Sequence, residues 1–198
     1  NDVCIQQVIE ISLKKMSTPP PVKYAWLAMG SQGRSEQLLQ TDQDNALVYE
    51  DVLEDLKEKT KKYFLELATH VNKGLFEIGY DYCPAEMMAS NPNWCLSLTE
   101  CKNKVHHWIT NTGKNEVLLS FIFFDYSLVY GDSDLVNDLS DFIFEDVKAN
   151  PTFYLHLVIM TLIRYGIYKK LKVFVPMCVR LIQAFWVLIG ISTNSITK

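Results

Sequence analysis

Two carboxylates one residue apart, Asp42 and Asp44, stand at the head of the apolar run ALVY in the stretch GSQGRSEQLLQTDQDNALVYE, residues 30–50. On an extended backbone, residues i and i+2 project from the same face, so the two acids share a face while Gln43 and Asn45 point the other way. Neighbouring carboxylates repel one another and retain protons unless a cation neutralises them. Mg²⁺ (or Mn²⁺) suits such a pair, because a hard ion takes oxygen ligands and keeps positions for waters and substrate phosphates. Two such ions about 3.5–4 Å apart can clamp an in-line displacement at phosphorus.

That chemistry needs a holder for the phosphates, and the residues just upstream supply one. Gly30 follows the apolar run YAWLAM and, lacking a Cβ, lets a phosphate approach the backbone. Ser31 adds a hydroxyl donor, the amides near Gln32 and Gly33 open a short helix whose start favours an anion, and Arg34 offers a bidentate phosphate contact. Taken singly, each feature is ordinary: a D-x-D is usually a solvated strand end and a Gly-Ser usually a turn. The order strand, Gly-Ser, short helix, D-x-D strand is what carries specificity.

The elements that must position these residues follow from hydropathy. Apolar residues at helical spacing run from Val3 to Leu13, and STPPPVK ends that helix. YAWLAM and DNALVYE read as strands, with RSEQLLQ as a short helix between them. A long amphipathic helix follows over LEDLKEKTKKYFLELATHVNKGLFEIG, with Gly79 as its stop. Residues 80–95 read as a loop, SLTECKNKVHHWIT as a helix and EVLLSFIFFDYSLVYG as a buried strand. From Asp134 onward the pattern is helical, with Asp132 and Asp134 as turn and cap residues and Pro151 at a helix start.

Composition narrows the function classes. The chain has 198 residues, enough for one compact domain with a smaller helical part. Its formal charge is −4 and Lys57, Lys59, Lys61 and Lys62 are interleaved with acids, which disfavours a nucleic-acid groove. The five cysteines include no C-x-x-C pair, so a zinc knot or disulfide framework is not expected and a reducing cytoplasm is. The apolar stretch 173–191 contains Pro176, Arg180 and Gln183, and reads as a buried or interface helix rather than a membrane span.

The segment GSQGRSEQLLQTDQDNALVY resembles the Gly-Ser, D-x-D signature of the DNA polymerase beta-like nucleotidyltransferase superfamily. More closely it resembles the N-terminal domain of bacterial PII-protein uridylyltransferase, and a set of nucleotidyltransferases found downstream of CBS and cyclic-nucleotide-binding domains. In that set the motif reads G-S-x-G-R-x-E-Q, then T-D-Q-D-N, matched here by Gly30, Ser31, Gly33, Arg34, Glu36, Gln37, Thr41, Asp42, Gln43, Asp44 and Asn45. The likeness continues through CPAEMMASNPNW and FIFFDYSLVYGD.

The resemblance implies an α+β nucleotidyltransferase fold, a small mixed β-sheet flanked by helices, over residues 1–145. A helical substrate-binding segment follows over 146–198, where the chain is expected to be cut short. It implies a Mg²⁺-dependent transfer of a nucleotide from an NTP to a hydroxyl acceptor, on a protein or a small molecule, in bacterial signalling. Upstream CBS or cyclic-nucleotide-binding domains belong to the same expectation, while the apolar pattern from Phe153 to Ile191 predicts a face buried against the domain or a second chain, in a homodimer.

It also implies a third acid. Asp125, at the end of LLSFIFF, is the candidate, since a charge ending a buried strand is costly without a partner. Asp42, Asp44 and Asp125 are then expected to hold the metal and converge near the Gly30–Ser31 turn, with Asp125 as base for the acceptor hydroxyl. One departure stands out. Relatives commonly carry a basic residue two positions after this acid, on the same strand face, and here it is Ser127. A nucleotide-binding module with impaired turnover is therefore the alternative reading.

Asn91 and Trp94 lie in the loop, where Trp94 either stacks a base or, more commonly for such a residue, anchors the loop to the core. His106 and His107 are adjacent on a helix, diverge by about 100°, and do not share a ligand.

Overall fold

The computed structural model describes residues 2–34, 42–111 and 113–153. Its centre is strand β1 (Tyr24–Ala28), buried along its whole length. Alternate residues of a strand leave on opposite faces, and β1 uses this fully. Ala25, Leu27 and the following Met29 enter one apolar cluster, while Tyr24, Trp26 and Ala28 enter another. A strand buried on both faces must be covered by helices on both sides, and that requirement sets the architecture.

β1 pairs antiparallel with β3 (Asn45–Tyr49) on one side and β6 (Ser127–Gly131) on the other; β3 also pairs parallel with β5 (Cys95–Ser97). The order is β5-β3-β1-β6, a small mixed sheet. A second, two-stranded parallel pair joins β2 (Asp42–Gln43) to β4 (Asp81–Tyr82).

One face of the main sheet is covered by α1 (Asp2–Lys15) and α3 (Lys57–Glu77), through Ile5 and Ile9 of α1 and Phe64, Leu67, Val71 and Leu75 of α3. A 3₁₀ turn at Glu54–Leu56 leads into α3, and Gly79, at φ +102°, takes the chain out of it in a conformation that a side chain would strain. The other face is covered by α4 (Leu98–Thr110), α5 (Lys114–Phe123) and α6 (Ser133–Ala149). A capping box fixes the start of α4: Ser97 accepts from the Glu100 amide, and the Glu100 carboxylate accepts from the Ser97 amide. Asp132 caps α6 through the amides of Asp134 and Leu135.

The strand expected over EVLLSFIFFDYSLVYG is instead a helix, a turn and a strand: α5 ends at Phe123 and β6 begins at Ser127. A continuous apolar run has no period to separate helix from strand, and this one is long enough for three turns of helix. Asp125 therefore lies in the connecting turn and does not end a strand. The supposed shared strand face of Asp125 and Ser127 goes with it. The expected loop 80–95 contains β4 and leads into β5.

The fold is thus a mixed α/β arrangement of a small sheet between helices. No helix among the described residues is long and apolar enough to cross a membrane. The apolar stretch 173–191, most of the segment 146–198 and, apart from Arg34, the short helix expected over RSEQLLQ lie outside the described residues.

Candidate functional site

Gly30 leaves β1 at φ +58°, a left-handed conformation that glycine adopts at no steric cost. It begins α2 (Gly30–Gly33), a single helical turn closed by Gly33 N–H donating to Met29 O and Arg34 N–H donating to Gly30 O, both at 3.2 Å. Ser31 lies half-buried within this turn. The main chain of Asp44 is tied to the same corner, since its carbonyl accepts from the Met29 amide at 2.9 Å.

The Asp44 carboxylate meets Gly30 directly: a Cβ added there would stand 3.1 Å from Oδ2. Burial pushes the Asp44 carboxyl above the usual carboxylate range; a bond from the Cys83 thiol opposes the shift and the charge of Asp42 adds to it. Asp42 is exposed and in register with Asp81 on β4. The structure thus places one exposed and one half-buried acid, electrostatically coupled, beside a turn with no side chain at its first residue.

The residues between and after the acids explain this placement. Gln43 and Asn45 are buried, facing away from the carboxylates as the alternation of an extended chain requires. Gln43 Nε2 donates to Tyr80 O at 2.9 Å and to Asn72 O at 3.1 Å. Asn45 Oδ1 accepts from the Ala89 amide at 2.8 Å, and the Asn45 amide donates to Met87 O at 3.0 Å. The motif strand is therefore anchored by buried amides and offers its acids outward.

The far side of α2 rests on the turn that carries Asp125. A Cβ on Gly33 would stand 1.7 Å from the Asp125 carbonyl oxygen, so no larger residue fits without moving backbone. The Asp125 side chain is buried, and its Oδ2 pairs with Arg34 Nη1 at 2.8 Å. Ser127 is next to this turn, opposite Ala28 in the β1–β6 ladder.

Gly30, Ser31, Gly33 and Arg34 form the turn, Asp44 and Asp125 lie against it and Asp42 stands beside Asp44, but the expected metal set of Asp42, Asp44 and Asp125 is not formed. Within that corner Asp44 faces Gly30, and Asp125 faces Arg34. Among the described residues no group of three His, Cys, Asp or Glu side chains is placed to hold a metal ion. The arrangement fits a cation shared by Asp42 and Asp44 with ligand oxygens, because positive charge there would relieve the strain on the half-buried Asp44 carboxylate.

Other candidates resolve differently. Trp94 is buried and packs near Trp108 and Phe123, with ring centroids 6.1 and 6.2 Å away, so it anchors its loop in the core. Asn91 shapes the same loop, donating to Glu86 O and accepting from the Asn93 amide. His106 pairs with Asp146 while His107 contacts Asn111, so the two imidazoles serve separate surface contacts. Glu36 and Gln37 lie outside the described residues.

Sequence reasoning missed Asn72 and Cys83. A signal existed for Asn72, an amide set within the apolar stripe of Phe64, Leu67, Ala68, Val71 and Leu75. Nothing local marks Cys83, which reaches Asp44 only through the tertiary fold.

The family model described as Putative nucleotidyltransferase DUF294 matches residues 1–115, which includes the Gly30–Arg34 turn and both acids of the D-x-D. Asp125 and Ser127 lie beyond the matched part. A search of curated proteins finds no match to the chain.

Proposed function

Because the chain belongs to the DUF294 family of nucleotidyltransferases, we propose that it moves a nucleoside monophosphate from an NTP to a hydroxyl acceptor with the help of Mg²⁺ or Mn²⁺. The observation that supports this best is Asp44 standing against Gly30 with Asp42 beside it: a phosphate approaching that bare turn meets the oxygens that would hold its cation.

Bound there, the metal would neutralise phosphate charge and align the displacement. The backbone at Gly30 and the Ser31 hydroxyl bind the triphosphate. Arg34 contributes a guanidinium, which Asp125 holds at 2.8 Å; a direct metal-ligand role would require Asp125 to leave it. The acceptor oxygen bonds to the α-phosphorus, the bond from that phosphorus to the bridging oxygen breaks, and pyrophosphate leaves. The acceptor proton passes to a base or to water. Catalysis is then mainly positioning and charge neutralisation.

A protein hydroxyl as acceptor, as in uridylylation of a PII protein, belongs to the same proposal, as does cytoplasmic signalling beside CBS or cyclic-nucleotide-binding domains. Both rest on the resemblance of the Gly30–Asn45 segment. One observation favours the second reading, a nucleotide-binding module without turnover: Ser127 stands beside the Asp125 turn where relatives carry a cation. Against it, Arg34 already brings a cation to Asp125.

Calorimetric titration with α,β-methylene analogues of the four NTPs, with and without Mg²⁺, tests the proposal. At least one analogue should bind, and only with Mg²⁺ or Mn²⁺ present. Failure of all four with either ion would remove the proposal.

A further inference from the structure

Asn72 is only 1% exposed, in a helix stripe where its near neighbours Phe64, Leu67, Ala68, Val71 and Leu75 are apolar. Asparagine is a weak helix former, and a buried amide is costly unless its groups are paired. Here they are. Nδ2 donates to Gln43 Oε1 at 2.8 Å and to Asn45 Oδ1 at 3.1 Å, and Oδ1 accepts from the Ser90 amide at 3.0 Å. The two motif residues it grips are the immediate neighbours of Asp44.

The third contact reaches the segment that follows Cys83, a buried residue whose thiol lies near the Asp44 carboxylate. Asn72 also receives Gln43 Nε2 on its main-chain oxygen. One side chain therefore ties α3 to the motif strand on both sides of Asp44, and to the loop that touches Asp44 from beyond.

We infer that Asn72 is a positioning residue of the proposed nucleotidyl site: through Gln43 and Asn45 it sets where the Asp42 and Asp44 carboxylates stand. The inference rests on the proposed function and adds a residue to it. Asn72 touches no reacting atom. If its role were packing alone, a leucine of similar size would lower stability through the partners it strands but leave the acids where they stand. A positioning role predicts instead that the isostere keeps the fold and loosens the acids. Partners that orient metal ligands typically change metal affinity by about 10- to 100-fold when removed.

Asn72→Leu removes the contacts from the helix side, and Gln43→Met removes part of them from the strand side. Each is assayed by Mn²⁺ titration, followed by electron paramagnetic resonance, with a bound α,β-methylene nucleotide. Amide hydrogen exchange of metal-free protein at residues 43–45 is followed in parallel. Both variants should melt cooperatively, bind Mn²⁺ roughly 10- to 100-fold more weakly, and exchange faster at 43–45 while the rest of α3 stays protected. Thr69→Ala, one helical turn away, should change neither reading.

Unchanged Mn²⁺ affinity in folded variants would overturn the inference alone. Failure of both variants to fold would also overturn it, making the network a determinant of the fold instead. Absence of Mn²⁺ and nucleotide binding in the unaltered chain would remove the proposed function, and the inference with it.

Discussion

Asp42→Asn combined with Asp44→Asn is expected to give a folded protein that no longer binds Mg²⁺ and nucleotide together, with transfer abolished. Removing one preorganised electrostatic partner from such a site costs on the order of 10²- to 10³-fold in rate, and the double change removes both of the proposed cation ligands at once. The fold should survive because the anchoring contacts of this strand come from Gln43, Asn45 and the Asp44 carbonyl, all of which remain.

Stability should move in the opposite direction to function. Burial holds the Asp44 carboxyl above its ordinary value. The native state therefore binds more protons than the unfolded chain from the ordinary carboxylate range up to the native pKa. Stability of the metal-free protein falls as pH rises through that window, and the penalty is complete above it. At neutral pH Asp44→Asn removes the penalty, so its melting temperature should exceed that of the unaltered chain. The difference should vanish toward acid pH. Calorimetric melts from pH 3 to 8 check this; a variant that melts lower at pH 7 would show that Asp44 is stabilised, not strained, by its surroundings.

Asp125→Ala should have the largest effect on stability. The Asp125 side chain is 9% exposed and that of Arg34 is 24% exposed. Breaking one side of a buried pair costs the remaining charge a compensating contact, typically about 3–5 kcal/mol. Partial hydration of the guanidinium puts this case near the lower end, about 3 kcal/mol. For a chain of this size that is a fall of roughly 6–12 °C in melting temperature. Replacing both partners, Arg34→Met with Asp125→Leu, should recover much of the loss, since well-packed apolar side chains carry no desolvation cost of burying charge. Chemical denaturation of the two single variants and the double variant measures it. A double variant no more stable than Asp125→Ala would mean that the ion pair is not what holds the turn.

These two predictions draw on different depths of legibility. Asp42, Asp44, Gly30 and Ser31 could be singled out in the sequence because they are close along the chain and the relevant geometry is local, although Asp44 falls between β2 and β3 and the two acids do not share one strand. The sheet was legible for a similar reason. YAWLA and NALVY are short runs bounded by breakers, and the amphipathic stripe of α3 is long enough to leave no ambiguity. Asp125 was legible as a charge that needs a partner, but not as a turn residue. The run before it, LLSFIFF, contains one serine and no glycine, proline or charge to set a period, and as α5 it packs against α4. The Arg34–Asp125 pair and the Asn72 network join residues far apart in sequence. Asn72 could have been suspected, since a buried stripe seldom includes an amide without a task. Its partners could not, because they depend on how α3 meets the motif strand.

The most direct test of the account is the fate of the α-phosphate. The chain is incubated with Mg²⁺, candidate protein acceptors and each NTP labelled either at the α- or at the γ-phosphate. One α-labelled NTP should transfer its label to an acceptor hydroxyl, the γ-label should leave as pyrophosphate, and both events should stop without Mg²⁺ and in the Asp42→Asn/Asp44→Asn protein. Transfer of the γ-label instead, or transfer of the α-label undiminished in that double variant, would contradict the proposed function.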